Sequence, residues 1–363
     1  MRIAFVGIKR PFKTITKDIG IDYETFIRFH IELPFYYSKY GKNDIFVTTV
    51  DTGAKTIFDD DEWENPEHNI YTREDKDAMI WVVQESYLTS MPEEQKPEVV
   101  VHWRAWQQWA WDACPNATHL LHTCDHTYGE EWKSNAKTAL GNGQLSRIIA
   151  FETWHVRQLQ QELQVGFENF VTQLHLGVDT EIYYPAEKDP FKLLWASDPG
   201  RGLSGCLDVF GELYKKDRRY HLHVLQPDYV KEQLSVSHPG IKVHRNIKNS
   251  PELWDMFNTS MFVPYTSTFM EPSSRVHRQG MSAGSVVLYP SDHGSPSELI
   301  INGRTGVIIP RSLNKYFWAQ KINEIRESGQ HLSIGTQARM FSLTEDWSVQ
   351  AERFNRVIKE LRR

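Results

Sequence analysis

Short, continuous runs of Val, Ile, Leu and aromatic residues recur along the first half of the chain, at residues 2–7 (RIAFVG), 44–50 (DIFVTTV), 98–103 (EVVVHW), 119–124 (HLLHTC) and 147–151 (RIIAF), with helix-length mixed stretches between them. Runs without polar alternation fit strands buried on both faces of a parallel sheet, where crossover helices cover each face. After a segment rich in proline and charge, YYPAEKDPF at 183–191, a second series begins at 191–196 (FKLLWA), 220–225 (YHLHVL), 241–245 (IKVHR), 261–265 (MFVPY), 285–290 (SVVLYP) and 306–310 (GVIIP). The pattern predicts two α/β domains in tandem, 1–187 and 188–345. The remaining residues, 346–363, place Trp347, Val349, Phe354, Val357, Ile358 and Leu361 near one helical face, which predicts an amphipathic terminal helix packed on another element. There is no repeat of fixed period and no low-complexity tract.

Composition narrows the class. A chain of 363 residues is long enough for two cores, and 40% hydrophobic with 24% charged residues excludes wholesale disorder. Cys114, Cys124 and Cys206 show no metal-ligand spacing and are odd in number, so a reducing, cytoplasmic setting is expected. The opening MRIAFVG reads as a buried strand and not as a signal peptide, and no run of about 18 apolar residues marks a spanning helix. The net charge of -6 conceals an asymmetry: 17 basic face 29 acidic residues over 1–187, and 24 face 18 over 188–363. A basic second half is the better host for a phosphorylated ligand. The acidic stretches 59–67 and 74–77 read as a solvated surface insertion.

The richest segment chemically is 263–309. A strand ends at Pro264, a polar loop carries Glu271, a helix is expected from about Ser273 to Ala283, and Gly284 closes it. Ligands of open α/β sheets bind beyond the carboxyl ends of strands, where helix N-termini offer unpaired N–H groups. A single Glu before a helix also serves simply as a cap, so these residues alone leave both roles open.

Here the chain resembles the retaining glycosyltransferases of family 4, which have the GT-B fold: α/β, with two Rossmann-like parallel-sheet domains facing a central cleft. Their second domain carries a Glu, seven residues, and a second Glu opening an E-A-M-A-x-G-x-P-V-V run, then a G-x-x-E-x-I-x-x-G-x-x-G segment. This chain has Glu271, seven residues, then Gln279 in QGMSAGSVVLYP, followed by Gly294, Glu298, Ile300, Gly303 and Gly306. The resemblance gives Glu271 the role facing the donor sugar and Gln279 the place of the ribose-binding carboxylate; an amide accepts there without charge. In FKLLWASDPGRGLSGCL, Arg201-Gly202 stands for the basic-Gly step that holds the donor diphosphate, while Ala196 and Ser197 occupy the place of an earlier Arg. LGVDTEIYYP (176–185) is similar to the segment that ends the family's first domain, and HTCDHTYGEEW (122–132) to a strand end whose His reaches the donor sugar, here His126. The resemblance implies catalytic roles for Glu271, His126 and Arg201, and donor contacts at Gly7, Ser197, Gly202, Ser273, Ser274, Gln279 and Glu298. It also implies a terminal helix that crosses back onto the first domain.

Two departures lie in the first half. The family places a Gly-Gly pair after the first strand, whereas Gly7 stands alone and is followed by Lys9, Arg10, Lys13 and Lys17. HWRAWQQWAW supplies Trp103, Trp106, Trp109 and Trp111, suited to stacking on sugars and equally to a core. The expected activity is transfer of a sugar from a nucleotide diphosphate sugar to an acceptor hydroxyl with retention, without metal or any cofactor besides that co-substrate. The acceptor is expected to be a saccharide; no nucleic-acid partner is implied, and a peripheral membrane contact is compatible with the family. A nucleotide-sugar epimerase on the same fold and a silent nucleotide-sugar-binding module are the alternatives.

Overall fold

The computed structural model describes residues 1–8, 32–49, 71–72, 79–124, 128–171, 174–226, 234, 236–245, 251–267, 269–291, 294–310 and 314–363. Two compact units are present: unit 1, Met1–His175 with Trp347–Arg363, and unit 2, Leu176–Asp346. The division falls at Leu176 and not after residue 187, because Val178 and Tyr183 are buried in the core of unit 2. The segment 176–185 therefore opens the second unit instead of closing the first. The stretch 183–191 is not a free linker either: Lys188 Nζ donates to Phe257 O and Ser285 Oγ, and strand pairing begins at Asp189.

Unit 1 holds an eight-stranded sheet built from β1 (Arg2–Ile8), β2 (Asp44–Thr49), β3 (Tyr71–Thr72), β4 (Met79–Gln84), β5 (Val99–Trp103), β6 (Thr118–His122), β7 (Arg147–Ile149) and β8 (Phe170–Val171), in the order β3-β4-β2-β1-β5-β6-β7-β8. Every pairing is parallel except β3 with β4. Its described helices are α1 (Glu32–Lys39), α2 (Glu85–Ser90), α3 (Gln108–Ala113), α4 (Glu130–Gly141) and α5 (Thr153–Leu163). Sequence reading missed β4, whose MIWVVQ run follows directly on charged residues, and β3 and β8, which are only two residues long.

Six aromatic and histidine rings make contacts in and beside the Trp-rich segment, whose tryptophans are half-buried. Gln107 N donates to His102 Nδ1 at 3.0 Å, so the His102 proton sits on Nε2 and is donated to His119 Nδ1 at 2.8 Å. His119 then donates from Nε2 to Cys114 O at 2.9 Å. Both rings are neutral: burial drives His102 well below its ordinary pKa and His119 down to about 4. Trp106 stacks on His102 at 4.2 Å, Trp111 lies 4.8 Å from His119, and Trp103 stacks on His122 at 4.8 Å.

The terminal helix, Trp347–Leu361, belongs to unit 1. Trp347 and Phe354 are fully buried; Trp347 stacks on Tyr36 at 5.0 Å and Phe354 on Tyr37 at 4.1 Å. Asn43 Nδ2 donates to Asn355 Oδ1 at 2.8 Å, and Arg362 pairs with Glu98 at 2.9 Å. Val349 and Leu361 are half-buried, so the apolar stripe is broadest in its middle.

Unit 2 holds a six-stranded parallel sheet of β9 (Asp189–Trp195), β10 (His221–Gln226), β11 (Ile241–Arg245), β12 (Ser260–Pro264), β13 (Val286–Pro290) and β14 (Val307–Ile309), ordered β11-β10-β9-β12-β13-β14. Its helices are α6 (Leu203–Lys216), α7 (Pro251–Thr259), α8 (Arg275–Ser282), α9 (Pro296–Leu299), α10 (Lys315–Glu327) and α11 (Gln330–Leu343). Chain order runs outward from β9 on one side and from β12 on the other, so the switch point lies between these two central strands. Among the described residues, no helix is long and apolar enough to cross a membrane.

Truncating the helix anchor tests how far unit 1 depends on it. Trp347→Ala removes a fully buried indole and is expected to lower the stability of unit 1 by about 3–5 kcal/mol, read as a shift in its denaturant midpoint. A midpoint within experimental error of the parent would show that the helix adds nothing to unit 1.

Candidate functional site

The switch point of unit 2 is framed by the loops that follow β9 and β12. After β9, Asp198 accepts from Gly200 N at 2.8 Å, a short helical turn spans Pro199–Arg201, and Gly202 starts α6 with φ +106°. A Cβ at Gly202 would lie 2.6 Å from Thr266 O, and Thr266 Oγ1 donates to Gly202 O at 2.7 Å. Only glycine fits there, in both conformation and space. The Thr266 side chain thereby ties the second loop to the backbone of the first.

Glu271 is held the same way. Its backbone bridges Gly294, its carbonyl accepts from Ser295 N at 2.9 Å, and a Cβ at Gly294 (φ +98°) would lie 2.4 Å from Glu271 O. The side chain is buried, and its Oε1 accepts from Arg201 Nη1 and from Tyr265 Oη, each at 2.6 Å. Because the phenolic proton goes to Glu271, Ser197 is the donor in its 3.3 Å contact with Tyr265 Oη. Burial works against the charge on Arg201, but Glu271 and Tyr265 together outweigh it and hold the guanidinium above its ordinary pKa. Burial, then Glu271, raises the Tyr265 phenol, which stays protonated.

Below these groups lies an aromatic layer from the ends of β9, β12 and β13. Trp195 stacks on Tyr265 at 5.5 Å, Tyr265 on Tyr289 at 5.8 Å, and His277 meets both tyrosines edge-on at 4.8 and 4.6 Å. His277 Nδ1 is bonded to the Ser274 hydroxyl, so that hydroxyl, at the N-cap of α8, is not spent on the helix backbone. Among the described residues, the N-cap residue of neither α6 nor α8 makes a side-chain cap at the first turn. Uncapped helix starts carry partial positive charge and N–H groups suited to an anion. Three buried polar atoms in this region have no hydrogen-bond partner among the described residues: Trp195 Nε1, His277 Nε2 and Ser295 Oγ.

The structure brings Glu271, Arg201, Ser197 and Gly202 together, and Ser274 stands at the N-cap position of α8 without capping it, the helix starting at Arg275 and not at Ser273. Ser273 is half-buried just ahead of that cap. Gln279, half-buried on α8, donates from Nε2 to Tyr183 Oη at 2.9 Å, which leaves its carbonyl oxygen as the acceptor. Glu298 is exposed on α9. Gly7 belongs to unit 1, where its φ is +89° and a Cβ would lie 3.0 Å from Gln107 Nε2. His126 lies outside the described residues, as do Lys9, Arg10, Lys13 and Lys17. Sequence reading missed Tyr265 and His277; the available signal was a Tyr directly after a strand-ending Pro and a His six positions past Glu271.

No protein-family model matches the chain, and no curated protein matches it in sequence. Solved structures do match it. A glycosyltransferase from Rickettsia africae ESF-5 superposes with a TM-score of 0.70 at 14% identity, over 100% of this chain and 98% of that one. Sucrose-phosphate synthase from Thermosynechococcus elongatus gives 0.69 at 13% identity over 99% of each, and Anabaena HepE in complex with UDP gives 0.66 at 16% identity over 99% and 100%. The fold is GT-B. HepE is also known in complex with UDP-glucose, and that structure matches with a TM-score of 0.65.

The buried histidine generates a pH prediction. Burial, reinforced by Arg278, pushes His277 down to about 3, whereas in the unfolded chain a histidine titrates near ~6.5. The unfolded state therefore takes up the proton first, so stability contributed by neutral His277 is complete above about pH 6.5 and falls as pH drops from there toward 3. His277→Gln removes the titration and is expected to flatten the fall in unit 2 stability between about pH 7 and 4.5; denaturant midpoints across that window with an unchanged slope would contradict it.

Proposed function

We propose that this chain is a retaining glycosyltransferase resembling family 4, which moves a sugar from a nucleotide diphosphate sugar to an acceptor hydroxyl, a saccharide, without a metal. The observation that carries the reading is the pairing of Arg201 with the buried Glu271 at the switch point of a GT-B unit, beside two helix starts whose N-cap residues make no side-chain cap among the described residues. The UDP complexes of HepE, a structural neighbour, favour a nucleotide sugar as the donor here too. Breaking the anomeric bond puts positive charge on the sugar and negative charge on the leaving diphosphate. Arg201 and the N-termini of α6 and α8 meet that negative charge electrostatically. Glu271 Oε1 is taken by two donors, and Oε2, with no partner among the described residues, accepts from a sugar hydroxyl. The departing phosphate oxygen takes the acceptor proton. The free, buried thiols of Cys114 and Cys206 fit the cytoplasmic setting expected for such an enzyme.

The deciding experiment is incubation with a panel of UDP-, GDP- and ADP-sugars, with and without simple saccharide acceptors. Transfer, or slow release of free sugar, supports the reading; an epimerised nucleotide sugar points to an isomerase, and binding without turnover to a silent module. Arg201→Ala is expected to lower kcat/KM by about 30- to 150-fold, equivalent to ~2–3 kcal/mol for a lost charge-assisted donor. Undiminished turnover in that variant would remove Arg201 from the mechanism.

Gln279→Glu tests the ribose contact separately. The carboxylate accepts from Tyr183 Oη in place of the present donation and restores a charged acceptor, so UDP is expected to bind several-fold more tightly by calorimetry. Equal or weaker binding would place the ribose elsewhere.

A further inference from the structure

The two donors on Glu271 Oε1 sit at the same distance, 2.6 Å, but are not equivalent. The Arg201 side chain is 40% exposed, on a short turn, with its guanidinium 4.6 Å from the Phe269 ring centre. Tyr265 is 2% exposed and its ring is fixed from three directions, between Trp195 and Tyr289 and against the edge of His277. A half-exposed guanidinium on a flexible stem changes partner with little loss of packing, whereas a ring enclosed in this way does not. A diphosphate offers a guanidinium two charged oxygens, against the single carboxylate oxygen that Arg201 now contacts. A ligand's phosphates would therefore draw Arg201 away and leave a buried carboxylate with one donor.

The geometry points to Tyr265 as the positioning residue of this site: it holds Glu271 in place while Arg201 changes partner from the carboxylate to the phosphates of a nucleoside diphosphate. The inference rests on the nucleotide-sugar reading above and adds to it a sequence of contacts. Ser197 supports the arrangement from behind, donating to Tyr265 Oη so that the phenolic proton stays directed at Glu271. The buried phenol keeps that proton at any working pH. Arg201 and Glu271 thus begin as each other's counter-ions, and ligand binding separates their roles.

The test compares the parent with Tyr265→Phe, using UDP as the probe. The Glu271 carboxyl carbon, observed by 13C NMR, is expected to keep one sharp resonance on UDP saturation in the parent and to broaden or split in the variant. UDP affinity should stay within about twofold, while kcat on a turned-over donor falls tenfold or more with little change in KM. A tyrosine replaced by 3-fluorotyrosine at 265, which keeps shape and donor, should restore the single resonance and serves if Tyr265→Phe does not fold. An unchanged carboxyl resonance in UDP-saturated Tyr265→Phe overturns the inference, as does a loss of UDP affinity that parallels the loss of kcat. UDP failing to bind the parent at all overturns the nucleotide-sugar reading, and this inference with it; UDP binding the parent while the carboxyl resonance of Tyr265→Phe is unmoved overturns this inference alone.

Discussion

Glu271 places a carboxylate where water scarcely reaches, and the need to satisfy that charge organises the carboxyl edge of unit 2. A buried anion without partners costs several kcal/mol, so donors must be brought to it from elements distant in sequence. Arg201 comes from the loop after β9, Tyr265 from the end of β12, and the backbone of Glu271 is gripped by Gly294 from the loop after β13. Each of those loops must approach another closely enough that a side chain on Gly202 or Gly294 would collide with backbone. The same electrostatic demand that fixes the acid thus fixes the loop conformations and, through Gly202, the start of α6.

Unit 1 solves a comparable problem without charge. His102, His119 and His122 sit on central strands and are neutral, two of them closed into a chain that ends on a backbone carbonyl. Three half-buried indoles, Trp103, Trp106 and Trp111, pack against them. Rings that sequence inspection offers as sugar platforms here serve as lids over imidazoles.

Much of this architecture was legible from the chain. Runs such as EVVVHW and SVVLYP announce doubly covered strands because nothing polar interrupts them, and the order of Arg201-Gly202, Glu271 and the glycines after it marked the site region. The partnership of Arg201 with Glu271 was not legible, since it depends on β9 lying next to β12, a pairing that spans about seventy residues. Tyr265 escaped for the same reason: its hydroxyl acts across loops and its ring across strands, and neither leaves a local periodicity. The domain boundary was misplaced because prolines and charges at 185–190 look like a linker, whereas Val178 and Tyr183 upstream already belong to the second core.

The terminal helix has a consequence for how the chain is made. Because Trp347–Arg363 completes unit 1, unit 2 is an insertion within it, and its two ends meet where Val178 bridges Asp346. Unit 2 is a cassette with adjacent ends, the geometry tolerated in domain insertion. During synthesis it emerges entire before Trp347–Arg363, so the stacking surface of Tyr36 and Tyr37 waits for Trp347 and Phe354 until unit 2 has been translated. Completion of the first unit is therefore a readout that the second has already been made.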